Sequence, residues 1–445
     1  MNNILGTEKI SKLILKMSIP TMISMLIQAL YNIVDSIFVA RVSAEALSSV
    51  SLSFSVQLII LALALGIGVG TNSIMSRKLG EGDQKRANSI ANTSVTMALI
   101  SYVIIILIGL FAIKPYFNAY SDNQEIVSGA ITYSKICSFL SIGIFISIAI
   151  EKIIQATGNA VYPMIVQMTG AIINIILDPI FIFTLGLGVK GAAIATVIGQ
   201  LTSMFIALYF LGKNKYVKVN IKSFNLNKDN VKYICIVGVP TMIMNCVGTV
   251  MVSWMNIILI NISAVAVNVL GIYFKLQSFF FMPVFGLNSG IIPIIGFNYG
   301  YKNKERIVKT LILGICIALG IMITGFIILQ LFSPQLLSLF SADKALLEVG
   351  VPALRAISFC FIPAAVCIIL IASFQATGFG VFSMIITLLR QLGILCPSAM
   401  LLIKFCGNNY VWYSFFIAEI IAAFICFCFF INLYKTKIAT LKQVK

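Results

Sequence analysis

Apolar runs long enough to cross a lipid bilayer follow one another along all 445 residues, and no other feature narrows the fold so far. A spanning helix needs roughly 20 mostly apolar residues. Runs of that kind lie at about 13–40, 50–75, 88–113, 128–151, 160–185, 190–212, 233–260, 268–296, 307–332, 346–374, 380–403 and 410–434. Composition agrees, with 60% hydrophobic residues, 10% charged residues and a mean hydropathy of +1.04. A soluble domain carries about 25% charged residues, so a water-facing fold could not bury this much apolar surface. The expected fold class is an all-α integral membrane protein with twelve transmembrane helices. No cleavable signal is read at the start, because the first run is too long for one and contains Asp35.

The net charge of +17 follows the same alternation. Of 31 Lys and Arg, 22 fall on the N-terminal segment, the even-numbered connections and the segment after Leu433. Five fall on the opposite side: Arg41, Lys114, Lys190, Lys344 and Lys404. Basic residues gather on the cytoplasmic side of membrane proteins, so the pattern predicts a multi-pass protein of the cell membrane with both ends in the cytoplasm. It argues against a nucleic-acid partner and for the bilayer, including its anionic lipids. Ten cysteines are scattered without a CxxC pair, and there is no histidine. Neither a disulfide framework nor a zinc site is expected. No phosphate-binding loop, GxSxG or HExxH occurs, so neither enzymatic activity nor an organic cofactor is expected. Transport would draw on an ion gradient.

The chain repeats itself at an offset of 220 residues. Pro20-Thr21-Met22-Ile23 recurs as Pro240-Thr241-Met242-Ile243, Phe54 and Gln57 as Phe274 and Gln277, and Gly66, Gly70, Gly80 and Arg86 as Gly286, Gly290, Gly300 and Arg306. Gln155-Ala156-Thr157-Gly158 recurs as Gln375-Ala376-Thr377-Gly378. Each copy holds six spans, an even number, so both insert with the same orientation. Their pseudo-two-fold axis then runs along the membrane normal, as in parallel-repeat transporters. The predicted organisation is an N-terminal lobe over 1–212, a basic cytoplasmic linker over 213–232, a C-terminal lobe over 233–434 and a cytoplasmic tail over 435–445. The Lys-rich linker would let the lobes move against each other, or bind anionic lipid.

An ionisable group inside a membrane is costly and usually functional. Most of the 14 acids are read in loops, and three inside spans: Asp35, Asp178 and Glu419. Asn174 and Asp178 are four apart and share a helix face, while Pro179 lacks an N–H and frees a nearby carbonyl. Asp35 follows Pro20, a bending point, by fifteen residues. If the first and fifth spans adjoin, the two carboxyls share a small space and can hold a proton or a hard cation such as Na⁺. The second repeat has Met255 and Ser398 at these positions, so ion coupling is expected in the first lobe only. Glu419 is expected to pair with Arg390 or Arg355, or to touch substrate. Lys275 and Arg390 are read as deep basic residues in salt bridges or gate contacts. Phe280 and Met282, beside Pro283, are candidates for a cavity wall.

Together these residues resemble the multidrug and toxic compound extrusion (MATE) transporters, near their MepA-like and DinF-like bacterial branch. The resemblance covers nearly the whole chain. It is carried by Pro20, by Gln28-Ala29-Leu30-Tyr31-Asn32-Ile33-Val34-Asp35-Ser36, by the Gly-rich second span ending Ser76-Arg77-Lys78-Leu79-Gly80-Glu81, by the paired Gln-Ala-Thr-Gly motifs, and by Asn174 through Asp178-Pro179. It implies a two-lobed exporter of amphipathic, often cationic compounds that exchanges them for H⁺ or Na⁺ and confers antibiotic resistance. Carried over by position, it implies a coupling site of Asp35, Asn174, Asp178 and Thr196, with Na⁺, if used, on the first three. Pro20 and Pro179 would bend. Gln28, Tyr31, Asn32, Gln155 and Gln375 would join the substrate cavity. Such a bundle is expected to work as a monomer. A lipid flippase is the alternative.

Overall fold

The computed structural model describes residues 3–120, 122–219, 226–340 and 343–441. Ten helices are long and apolar enough to cross a membrane: Ile10–Ala40, Ala44–Gly80, Gln84–Phe111, Val161–Thr184, Gly188–Gly212, Lys228–Ile260, Ala264–Gly300, Lys304–Ser338, Gly380–Cys406 and Tyr413–Ile438. Two bent pairs, Gln124–Phe139 with Ile142–Ala156 (48°) and Lys344–Ser358 with Phe361–Thr377 (45°), each qualify together as one span. Counted so, the described residues hold up to twelve spans, numbered below in chain order. The fourth and tenth are the bent ones, and they occupy the same place in the two repeats. At each bend a serine turns on its own backbone: Ser141 donates to the Ser138 carbonyl, and Ser358 to the Arg355 carbonyl, both at 2.8 Å. Such local bonds compete with helical ones.

Repeated sequence also sets where helices begin. Ser43 accepts from the Ala46 N–H at 2.9 Å, and Ser263 from the Ala266 N–H at 3.1 Å. Asp83 and Asn303 accept from the N–H groups of Arg86 and Arg306. Each such cap stabilises a helix start by about 1 kcal/mol.

The lobes meet chiefly where the second span packs on the seventh and the eighth on the first. Small residues allow the approach. A Cβ at Gly80 would overlap the Phe297 carbonyl, and one at Gly300 the Arg77 carbonyl. Likewise Gly66 lies against Met242, and Gly286 against Met22. Each contact maps onto its partner by the 220-residue offset, so the pseudo-two-fold axis runs through this seam. We expect Gly80→Val to lower the thermal stability of the detergent-solubilised protein by about 1–3 kcal/mol, the usual cost of overpacking, and Gly300→Val to do the same. Gly320, with no atom within 4 Å of its Cβ position, should tolerate valine. An equal effect at all three positions would contradict this account of the seam.

Hydrogen bonds close the seam. Thr21 donates to the Gly286 carbonyl at 2.7 Å, Ser73 to the Gln375 carbonyl, and Arg77 to the Thr377 carbonyl at 3.2 Å. The chain start crosses to the other lobe, where Leu5 and Glu8 carbonyls accept from Arg306 at 3.0 and 2.8 Å. Lys304 lies 5.3 Å from the Tyr434 ring, so the start and the end of the described chain share one face. That face also carries the Lys-rich connections and is called the basic face below. The bonds just named all lie in the half of the molecule next to it.

The expected linker is docked at its beginning. Val217 is buried, and the Lys218 N–H donates to Asn88 at 3.2 Å. Its residues 220–225 lie outside the described residues. The expected tail begins instead as a continuation of the twelfth span, a π-helical turn at Tyr434–Ile438 with Ile438 buried, and 442–445 lie outside the described residues.

Candidate functional site

The fifth span ends in Asp178-Pro179, and the helix then widens into a π turn at Ile180–Thr184. The missing Pro179 N–H interrupts the α-helical ladder at that point, and such wider turns recur at functional sites. Asp178 is fully buried. One turn earlier, the Asn174 amide is assigned so that its nitrogen donates to Asp178 Oδ2 at 3.2 Å and its oxygen accepts from the Thr196 N–H at 3.1 Å. The first span, which packs on the fifth, brings Asp35 into hydrogen-bonding reach of Asp178. The other Asp35 oxygen, Oδ1, is buried without a donor among the described residues.

Tyr31 stands near both acids, and the Tyr133 side chain lies near that of Thr196. Val39, Ala46, Ile182, Ala192, Ala193 and Val197 form the apolar packing around Tyr133. Among the described residues, no Lys or Arg forms an ion pair with either acid. The four residues expected at the coupling site, Asp35, Asn174, Asp178 and Thr196, therefore stand together. Tyr133 was not singled out in the sequence. Its spacing from Cys137 on the fourth span carried no polar pattern to mark it. The first span stays helical through Pro20, where Ser24 donates to the Pro20 carbonyl at 3.0 Å.

The remaining candidates divide. Asn32 is exposed, and Gln28 and Tyr31 are half-buried on the same span. Met282 is half-buried, one turn before the Gly286 contact with the first span. Phe280 instead packs within the C-terminal lobe, against Phe361 at 6.0 Å and over Gly325, because its helix turns that side to the ninth and tenth spans. Gln155 and Gln375, expected on a cavity wall, are buried. Gln155 bonds across the seam to the Ser289 carbonyl at 3.1 Å. Gln375 bonds to Thr241 at 3.4 Å. Both motifs sit where bent spans return to the basic face, so their side chains meet neighbouring helices.

In the second lobe Glu419 pairs with Arg390 at 3.2 Å, while Arg355 bonds the Gln330 carbonyl. Lys275, expected in a salt bridge or gate, is exposed and lies 5.8 Å from the Phe340 ring. It forms no ion pair with a described residue, since its helix turns it outward. Two charges were misplaced by the sequence reading. Glu151 and Lys152 were assigned to the end of a span and the connection after it. Both are buried, at 3% and 9% exposure, because the fourth span continues to Ala156.

A bundle of two like lobes, with paired acids inside one of them, Asp178 buried and Asp35 half-buried, defines a membrane transporter of the twelve-helix, two-lobed class. The chain belongs to the MatE family, on its MepA-like branch: residues 20–180 and 240–401 match the family in two stretches that start 220 residues apart. It is similar to the multidrug export protein MepA of Staphylococcus haemolyticus (strain JCSC1435), 27% identical over 424 residues, which cover 94% of this chain and 92% of that one. Its structure is similar to a multidrug resistance MATE family transporter of the MOP superfamily in an outward-facing conformation, with a TM-score of 0.93, 30% identity and coverage of 100% and 99%. It is also similar to a MOP superfamily transporter from Pyrococcus furiosus, with a TM-score of 0.92, 30% identity and coverage of 99% and 98%.

Proposed function

We propose that the protein exports amphipathic, often cationic, organic compounds across the cell membrane in exchange for H⁺, with its basic face in the cytoplasm and the two lobes opening alternately to either side. One observation carries the reading: Asp35 and Asp178 face each other with no basic partner among the described residues. Two carboxylates about 4 Å apart repel by about 4 kcal/mol at an effective dielectric of about 20. A proton held between them removes that repulsion. So does an organic cation, and the two then compete for one site. A ligand shifts a conformational equilibrium only by its unequal affinity for the two states. The strain of the unprotonated pair supplies such an inequality.

The orientation of Asn174 favours H⁺ over Na⁺. It turns its amide nitrogen to Asp178 and commits its oxygen to Thr196. Without that amide oxygen a sodium ion would find fewer of the 6–8 oxygen ligands that hard cations such as Ca²⁺ gather. The test uses proteoliposomes of the full chain and ethidium. A pH gradient should drive ethidium movement, and a Na⁺ gradient at equal pH should not. Movement driven by Na⁺ alone would reverse the choice of ion, and no driven movement of any probe would remove the export reading. A single chain per transport unit is expected, so activity should scale linearly with protein density in the vesicles.

A further inference from the structure

Lys152 stands apart from the coupling site, at the other end of the first lobe. Its ammonium is buried in the seam and, among the described residues, bonds only neutral acceptors: Gln155 Oε1 at 3.0 Å and, in the opposite lobe, Ser289 Oγ at 2.8 Å. The adjacent Glu151 forms no direct ion pair with it. That carboxylate turns into the first lobe and accepts from Gln167 at 2.6 Å. The place is built for the lysine. Gly68 on the second span leaves room for its stem, since a Cβ there would meet Lys152 Cγ at 2.8 Å. Asn72 holds the turn beneath it by donating to the Lys152 carbonyl at 3.2 Å and to Gln155 Oε1 at 3.4 Å.

The other repeat has none of this. Lys152, Asn72 and Glu151 correspond to Ala372, Ile292 and Ile371, and Ser289 to Val69. At this position, then, only the first lobe places a cation on the seam. Burying an ammonium without a direct ion-pair partner is unfavourable, and the bond to Ser289 is the one that breaks when the lobes part. Once they part on the basic face, the ammonium lines the passage that leads inward.

We propose that Lys152 sets the charge preference of the entrance from the basic face, favouring compounds that carry a carboxylate over compounds that are cationic throughout. The proposal rests on the export reading and narrows its substrate class. A fixed ammonium in a narrow passage pairs with a carboxylate and repels an approaching cation before either reaches the paired acids. An amphipathic zwitterion suits both places, since its carboxylate meets Lys152 first and its amine meets Asp35 and Asp178 later.

The test compares two fluorescent probes in inverted vesicles: ethidium, a monocation, and ciprofloxacin, a zwitterion with a carboxylate. Lys152→Gln should raise the KM for ciprofloxacin relative to that for ethidium by about tenfold. Lys152→Glu should shift the ratio further, and Lys152→Arg should restore the wild-type ratio. Equal changes for both probes would show that the lysine only supports the fold, and they would overturn the proposal. So would a ratio that stays within about twofold in the Gln and Glu variants.

A second measurement needs no transport. Lys152 of the wild-type chain, treated from the basic face with a membrane-impermeant amine-acylating reagent, should be modified and should be protected by ciprofloxacin but not by ethidium. If the wild type moves neither probe, the export reading fails and protection alone decides the proposal. Equal modification with and without ciprofloxacin overturns it.

Discussion

Asp178→Asn and Asp35→Asn are each expected to reduce proton-driven ethidium export at least about a hundredfold while leaving the folded protein as stable as before, or more so. The two halves of this result have one cause. Each variant deletes a charge from a pair that faces itself across two packed spans without a basic partner. In the unprotonated pair, losing repulsion of about 4 kcal/mol favours the fold, and the amide still accepts and donates in the space the carboxyl filled. The same removal ends the inequality by which a proton favours one lobe arrangement. At about 1.4 kcal/mol per tenfold change in rate, a coupling of that size accounts for two to three decades. Thermal melting in detergent and gradient-driven export in proteoliposomes read the two halves separately. Full export by either variant, at wild-type stability, would mean that the paired acids do not power the cycle.

Glu419→Ala is expected to cost about 3–5 kcal/mol of stability, the largest such effect of any change discussed here. Arg390 lies between the eleventh and twelfth spans with its side chain 13% exposed, its Nη1 is 3.2 Å from Glu419, and its Nε has no partner among the described residues. Taking away the carboxylate would strand a guanidinium that has no other acid to pair with among the described residues, and a buried charge left alone is destabilising by that amount. The double variant Arg390→Leu with Glu419→Leu should recover most of the loss, because an apolar pair of similar volume often replaces a buried ion pair at little cost.

The repeat supports a packing role. Arg390 and Glu419 correspond to Gly170 and Gly199, which in the first lobe touch backbone to backbone. Where one lobe brings two helices together on glycine, the other holds them apart on an ion pair, beside the π-helical stretch Leu389–Leu395. Denaturation midpoints of the single and double variants decide the matter. A double variant as unstable as Glu419→Ala, yet still folded, would point to a role beyond packing.

Much of the fold was legible in the sequence because its signals are local or periodic. Apolar run length locates spans wherever the chain meets lipid, and the 220-residue offset needs only counting. Run length failed at span ends, where helices continue past the bilayer into packed contacts. The second and eighth spans reach 37 residues each, and the fourth carries Glu151 and Lys152 inward before it ends.

The candidate site was half legible. A carboxylate among apolar residues stands out, so Asp35 and Asp178 could be named, and the resemblance to the family added Asn174 and Thr196. Tyr133 could not be named, since one tyrosine among 15 carries no mark of the residue it faces. Lys275 and Lys152 show the limit from both sides. Each is a lysine near an apolar run, and only the rotation of its helix sends one to the surface and the other into the seam.

By itself, the sequence determined that this chain lies in a membrane, that it is two copies of one unit, and that only the first copy carries paired acids, because hydropathy, repetition and residue identity are properties of the chain. Which side chains meet was decided by the tertiary structure alone. The reason is geometric: a helix places consecutive residues about 100° apart, so contact depends on how neighbouring helices are turned, and that follows from the packing of all of them at once.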